Sequence, residues 1–232
     1  SFERSMLILQ NKNDKNIFQK EKLIDIKNIK LIEGAGVDIK KFFNKSNTSK
    51  QDLILLPTRL LWSKGIGDFI EVSKKIQEYN SGIIFALVGK PDKNNPDSVD
   101  EEFLKEYHSK KIIEWWGYKK NMPDVFNQSS IICYPSVYGE GVPKSLIEAA
   151  SCGKPIVAYD IPGCNSIVKN GYNGFLVPPK NIDMLFEKIK HLIENKKLSE
   201  EMGKNGRKLV EKHFSQDIVF RKTNKVWESL LK

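Results

Sequence analysis

At 232 residues the chain is long enough to bury a sizeable core, as one domain with appendages or as two small domains. Its 40% apolar and 29% charged residues are ordinary for a globular protein, no apolar run approaches the roughly 18 residues needed to cross a bilayer, and the Asn- and Lys-rich residues 1–28 do not read as a signal peptide, which together predict a soluble chain. The net charge of +9 is uneven: residues 1–50 carry 11 basic and 6 acidic side chains and residues 186–232 carry 12 and 7, leaving a nearly neutral centre that argues against a nucleic-acid-binding module.

In chain order, Met6–Gln10 predicts a strand, followed by a polar, charged stretch and a short apolar run, Ile29–Ile32, ahead of Gly34-Ala35-Gly36. From about residue 53 to residue 195, short apolar runs alternate with amphipathic stretches. The runs Asp52–Leu56, Gly82–Val88, Lys111–Trp116, Ser130–Tyr134, Pro155–Tyr159 and Gly174–Val177 are continuously apolar, as in a parallel sheet covered on both faces. Between them, Gly67–Tyr79 places Ile66, Phe69, Ile70, Ser73 and Ile76 on one helical face, and Asp100–His108 is a shorter, acidic helix. Met122-Pro123 opens another helix. Pro143 precedes a helix over Lys144–Cys152, which Gly153 terminates. The carboxy-terminal third predicts three helices, Ile182–Asn195, Ser199–His213 and Ser215–Leu231, with Ser199 and Ser215 as N-caps. The alternation predicts an α/β fold with a doubly wound, Rossmann-like parallel sheet.

Three cysteines without a Cys-x-x-Cys pair predict neither a disulfide framework nor a metal site, and suggest a reducing compartment; Cys133 lies in an apolar run and is expected to be an inert buried thiol. Of Trp115 and Trp116, which alternate across a strand, one is expected in the core. His108, His191 and His213 sit in helical, charged surroundings and read as surface or capping residues. No P-loop, nucleophile-elbow or dinucleotide-binding glycine motif occurs.

The sharpest feature is Gly139-Glu140-Gly141-Val142-Pro143-Lys144-Ser145-Leu146-Ile147-Glu148, which follows a strand and enters a helix. At the carboxyl end of a parallel sheet this places Gly141 and Val142 at a helix N-terminus, where backbone N–H groups and the dipole favour a phosphate. Glu148 falls four residues after Lys144 and shares its helix face, placed to accept from neighbouring ribose hydroxyls; Glu140 is placed to reach a group beyond the phosphates. Directly after the first buried strand, Arg59 and Lys64 flank a loop ending in Gly65, a spacing suited to clamping a diphosphate. Gly89-Lys90 ends another strand with a glycine that permits close ligand approach, and Gly117-Tyr118 ends the next, where backbone groups can read a base edge.

Together with Gly34-Ala35-Gly36-Val37-Asp38, Pro162-Gly163-Cys164 and Asn170-Gly171-Tyr172-Asn173-Gly174, these motifs resemble the carboxy-terminal half of GT-B glycosyltransferases of family 4, especially the branch building capsular, O-antigen and lipid-linked glycans. The resemblance runs from about Glu33 to Phe214. It implies that Arg59 and Lys64 bind the donor diphosphate, that Glu148 holds the ribose, that Glu140 binds hydroxyls of the transferred sugar with help from the N–H groups of Gly141 and Val142, and that Pro143 belongs to the donor site. Gly65, Gly89 and Lys90 would line the donor site and Gly117-Tyr118 would flank the base. It further implies a retaining hexosyltransferase with no metal or other cofactor, a UDP-sugar donor with GDP-mannose as second choice, and a glycan or lipid-linked acceptor. The expected location is cytoplasmic, with peripheral association at the membrane face left open.

Residues 1–46 are expected to be the end of an amino-terminal acceptor domain and a linker, residues 47–214 the nucleotide-sugar domain, and residues 215–232 a helix that crosses back. On this view the chain binds donor without transferring sugar by itself. Where relatives often carry a glutamate after Pro-Gly, this chain has Asn165-Ser166. Two other functions fit the same fold: a non-catalytic nucleotide-sugar-binding subunit, or a nucleotide-sugar epimerase.

Overall fold

The computed structural model describes residues 5–45 and 52–231. Its main body is a six-stranded parallel sheet built from β3 (Leu53–Pro57), β4 (Ile84–Val88), β5 (Glu114–Gly117), β6 (Ile131–Tyr134), β7 (Ile156–Tyr159) and β8 (Gly174–Val177). The spatial order is β5-β4-β3-β6-β7-β8. The chain thus builds outward from β3 to one edge, returns to the centre at β6, and builds to the other edge. Every residue of β3, β6 and β7 is buried, which explains why these segments are apolar without alternation.

Register follows from β3, where Leu53–Pro57 pairs with Ile84–Val88 on one side and Ile54 pairs with Ile131 on the other. Pro57 closes its strand, where a missing N–H is tolerated. The predicted strand Lys111–Trp116 begins later, at Glu114. Lys111 has φ 58 and the N–H groups of Ile112 and Ile113 turn back to the Tyr107 carbonyl, so these residues finish the preceding helix.

The helices between strands are α2 (Ile66–Tyr79), α3 (Glu101–Ser109), α4 (Met122–Gln128), α5 (Lys144–Ser151), the short α6 (Cys164–Ile167), α7 (Ile182–Glu194) and α8 (Lys196–His213). In α2 the predicted apolar face is buried: Ile66, Phe69, Ile70, Ser73 and Ile76, with Val72 added. Helix α4 opens with proline in its first turn as the sequence indicates. Ser199 is not an N-cap. Helix α8 begins at Lys196 with Asn195 before it, and Ser199 lies a turn inside, its N–H bonded to the Asn195 carbonyl at 3.0 Å. The propensity of Lys196-Lys197-Leu198 for helix outweighs the capping preference of serine there. Ser215 does serve as expected, its Oγ accepting from Ile218 N at 3.4 Å at the start of α9 (Gln216–Leu231).

Ahead of this body, β1 (Leu7–Leu9) and β2 (Ile29–Leu31) form a parallel pair joined through α1 (Lys12–Lys20). The charged stretch after β1 is therefore a helix, capped by Asn11 and burying none of its residues. Ile32 packs with Val219 and Val226 of α9, and Met6 and Ile8 lie against them. Arg207 of α8 ties the connecting segment down by donating to the carbonyls of Ile39, Phe42 and Ser151. The predicted boundary at residues 46 and 47 lies outside the described residues, and among these no helix is long and apolar enough to cross a membrane.

All three cysteines are free and buried, and burial pushes Cys152 and Cys164 up to about 12. The three histidines are exposed. Neither tryptophan of β5 is a core residue: both are half-buried, Trp115 donating to the Gly89 carbonyl at 3.0 Å and Trp116 to Glu114 at 2.8 Å.

Candidate functional site

In a doubly wound sheet the crevice opens where the winding reverses, at the carboxyl ends of the two central strands. Here these are β3 and β6, and the loops leaving them carry Arg59, Lys64 and Glu140. The two loops touch through Gly65. It adopts φ +79, and a Cβ there would lie 2.0 Å from the Pro135 carbonyl oxygen, so only glycine allows this approach. Asp97 fixes the first loop from outside, accepting from Ser63 N at 3.0 Å and from the Ser63 hydroxyl.

The approach of the loops seats Lys64 beneath Glu140. Its side chain is only 3% exposed, and its Nζ lies 2.5 Å from Glu140 Oε1. The Tyr134 hydroxyl donates to the same oxygen at 3.0 Å. Burial, reinforced by the nearby Glu140 charge, holds the Tyr134 hydroxyl well above its ordinary pKa, so it remains a donor. Glu140 keeps 32% of its side chain exposed and is open to a ligand. Arg59 is exposed; its carbonyl accepts from Leu61 N at 2.9 Å, and its guanidinium makes no hydrogen bond or ion pair among the described residues.

Pro143 caps α5, and its carbonyl accepts from Leu146 and Ile147. The N–H groups of Lys144 and Ser145, in the first turn, therefore have no helical acceptor. Gly141 and Val142 precede the cap rather than opening the helix; Val142 is buried and Gly141 lies against Gln10. One turn into α5, Glu148 is 13% exposed with Lys144 Nζ 3.9 Å away. Burial raises its pKa, opposed by the charges of Lys144 and Lys41.

These groups line one cleft of about 680 Å³. Of the residues singled out from sequence, Arg59, Lys64, Gly89, Lys90, Tyr118, Glu140, Pro143 and Glu148 face it. Gly65, Gly117, Gly141 and Val142 do not: the Gly65 N–H bonds the Trp62 carbonyl and the Gly117 carbonyl accepts from Gly89 N, so both hold the walls together. Lys41, Lys119, Lys120, Tyr134 and Ser145 also line the cleft and were not foreseen. Tyr134 ends β6 and could have been found from that position; Lys41 arrives from the connecting segment and has no local signal. Seven cationic side chains face the cleft against two carboxylates, an imbalance suited to a ligand with at least two negative charges. Among the described residues no three His, Cys, Asp or Glu side chains gather as a metal-ligand set.

Fold and cleft together define a doubly wound α/β domain with a predominantly cationic cleft at its topological switch point. A profile of the family Glycosyl transferases group 1 matches residues 38–209, about three quarters of the chain. The chain belongs to that family, and its architecture is that of the carboxy-terminal domain of GT-B enzymes.

Among its relatives is the N,N'-diacetylbacillosaminyl-diphospho-undecaprenol alpha-1,3-N-acetylgalactosaminyltransferase of Campylobacter jejuni, 29% identical over 215 residues, covering 87% of this chain and 54% of the relative. A second is the UDP-Gal:alpha-D-GlcNAc-diphosphoundecaprenol alpha-1,3-galactosyltransferase of Escherichia coli, 29% identical over 90% of this chain and 56% of the relative. The chain thus spans about half the length of these relatives. A crystal structure of a glycosyltransferase from Rickettsia africae superposes with a TM-score of 0.87 over 100% of this chain and 65% of that one, at 21% identity, and shares the fold.

Proposed function

We propose that the chain is the donor-binding part of a retaining hexosyltransferase that uses a nucleotide diphosphate sugar, with UDP as the nucleotide, to extend a lipid-linked or surface glycan. The observation that carries this is the convergence of Arg59, Lys64, Glu140 and Glu148 on one cleft at the β3–β6 switch point. Relatives whose names specify UDP-Gal or diphospho-undecaprenol acceptors support the donor and acceptor class.

In this reading the diphosphate lies between Arg59, Lys64 and the first turn of α5. The Arg59 guanidinium has no partner among the described residues and supplies a fork to the phosphates. Lys64 shares its charge between Glu140 and the β-phosphate, and Glu140, drawn toward Lys64 and Tyr134, presents its second oxygen to sugar hydroxyls. Glu148 accepts from the ribose, while Gly89, Lys90 and Tyr118 border the base. The cations and the helix terminus stabilise the leaving diphosphate, the role a metal fills elsewhere. Attack by the acceptor from the leaving-group face retains configuration, with the β-phosphate taking the acceptor proton, so no protein nucleophile is required. Three buried thiols without a disulfide support a reducing, cytoplasmic setting, and the membrane face is where an undecaprenol-linked acceptor would be met.

Calorimetric titration with UDP, GDP, UDP-galactose, UDP-N-acetylgalactosamine and GDP-mannose tests the proposal. Binding of UDP and a UDP-sugar with GDP weaker is expected; absence of binding by every nucleotide would overturn it. Full transfer turnover by these 232 residues alone would refute the part that leaves acceptor binding to other residues.

A further inference from the structure

The loop carrying Glu140 is held from outside the six-stranded sheet. Asn11, at the start of α1, is completely buried and donates from Nδ2 to the Glu140 carbonyl at 3.2 Å, across 129 positions of sequence. The same side chain caps α1: its Oδ1 accepts from Asp14 N at 2.8 Å, and its Nδ2 also donates to Asp14 Oδ2 at 2.8 Å. The cap fixes which way the amide points, because its oxygen is committed to an N–H and its NH2 is left for the loop.

Neighbouring contacts close on the same segment. Gln10 lies over Gly141, where a Cβ would come within 2.4 Å of Gln10 Oε1 and 2.9 Å of Gln10 Cβ. Gly163 also meets the carbonyl oxygens of Glu140 and Gly141, where its own Cβ would stand at 2.4 and 2.8 Å. A loop with glycines at 139 and 141 has little stiffness of its own. Its carboxylate nevertheless has to meet Lys64 Nζ at 2.5 Å and the Tyr134 hydroxyl at 3.0 Å. Side chains that must hold such geometry depend on the groups behind them.

We propose that Asn11 is a positioning residue for Glu140, so that the sugar end of the donor site is assembled by docking of the β1–α1–β2 unit onto the 139–141 loop. The proposal rests on the donor-site reading above. Its consequence is selective. Glu148 sits on α5, and the hydrogen bonds of the Asn11 side chain go to Asp14 and Glu140, so the nucleotide end of the cleft is not expected to depend on this bond, whereas the sugar end is.

Asn11→Ser tests it, because serine keeps an N-cap acceptor for α1 but withdraws the amide from Glu140. Two measurements on the chain are needed. The first is the 15N order parameters of Glu140 and Gly141, expected to fall from about 0.85 to below about 0.6 while α5 stays rigid. The second is affinity for UDP and for whichever of UDP-galactose and UDP-N-acetylgalactosamine the wild type binds more tightly. The UDP-sugar is expected to weaken about five- to tenfold and UDP by less than about twofold. Asn11→Asp, which also retains a capping oxygen but turns it against the Glu140 carbonyl, is expected to show the same selectivity if the serine variant folds poorly. Unchanged order parameters, or equal weakening of UDP and UDP-sugar, would overturn the proposal. Should the wild type bind neither ligand, the donor-site reading fails and the order parameters alone decide the role of Asn11.

Discussion

Glu148 carries two opposing demands. Burial raises its pKa above the ordinary 4.5, yet a pair of ribose hydroxyls is best accepted by the ionised form. Donor binding therefore favours the carboxylate, and acidification through the raised pKa removes the acceptor. We expect affinity for a UDP-hexose to begin falling at a higher pH than an unperturbed carboxylate would dictate. A UDP-hexose is the correct probe, since the terminal phosphate of UDP has its own second ionisation near about pH 6. Glu148→Gln should bind about tenfold more weakly at neutral pH, as loss of hydrogen bonds to a charged acceptor implies, and should lose the acid limb of the profile. Calorimetry from pH 5 to 8 decides it; an acid limb that persists in Glu148→Gln would remove the ribose role.

At this scale the sequence discloses the groups that act next to a strand end or within a helical turn: Arg59, Lys64, Glu140 and Glu148 are all legible from their distance to a predicted boundary. It does not disclose groups that arrive from elsewhere in the chain. Nothing near Asn11 or Lys41 signals a contact with residues 140 or 148, because such proximity is a property of the folded topology. Nor does spacing reveal that Lys64 is buried against Glu140, which changes it from a solvated clamp into a paired charge.

The close meeting of α8 with the end of α5 depends on small residues. A Cβ at Gly203 would lie 2.0 Å from the Gly153 carbonyl oxygen, whereas one at Gly67 in α2 would find nothing closer than the Trp62 ring at 4.0 Å. Both lie in helices, where alanine is favoured over glycine by about 0.5–1 kcal/mol. At Gly67 that preference is unopposed, and Gly67→Ala should raise Tm by about 1–4 °C. At Gly203 the obstacle is backbone, which cannot rotate away, and overpacking of about 1–3 kcal/mol or more prevails. Gly203→Ala should lower Tm by about 5–10 °C. Thermal unfolding of the two variants checks the opposite signs; a rise in both would show that α8 can shift outward at little cost.

Strands of the main sheet are legible because burial on both faces leaves them continuously apolar, and helices such as α2 because one face is buried. Helix α1 buries none of its residues, so Lys12–Lys20 carries no apolar stripe and reads as a charged loop. Its one available signal was Asn11 with Asp14 three positions on, a capping pattern at the end of a strand. The misplaced start of α8 has a different cause: Asn195 precedes it without a side-chain capping bond, so no local cap signal marks the true start, and the helix propensity of Lys196-Lys197-Leu198 prevails over the capping preference of Ser199.

Over the whole molecule the charge of +9 is concentrated in the terminal segments, but the cleft has its own surplus of seven cations over two carboxylates. These two fields can be separated. Opposite charges interact over about 10 Å at 0.1 M salt, so lysines that line the cleft are placed to act on a bound diphosphate, whereas the α9 lysines are not among its lining. Lys119 and Lys120 lie at the mouth; Lys222 and Lys225 lie on α9. We expect UDP affinity to fall several-fold between about 50 and 500 mM NaCl, through screening of the cleft cations. The double variant Lys119→Gln/Lys120→Gln should bind about two- to fivefold more weakly at low salt and show a shallower salt dependence, converging on the wild type at high salt as screening removes the difference. Lys222→Gln/Lys225→Gln should reproduce the wild-type curve despite the same loss of net charge. If the two double variants behave alike, attraction is set by total charge rather than by the cleft, and the cations at its mouth have no particular part in capturing the donor.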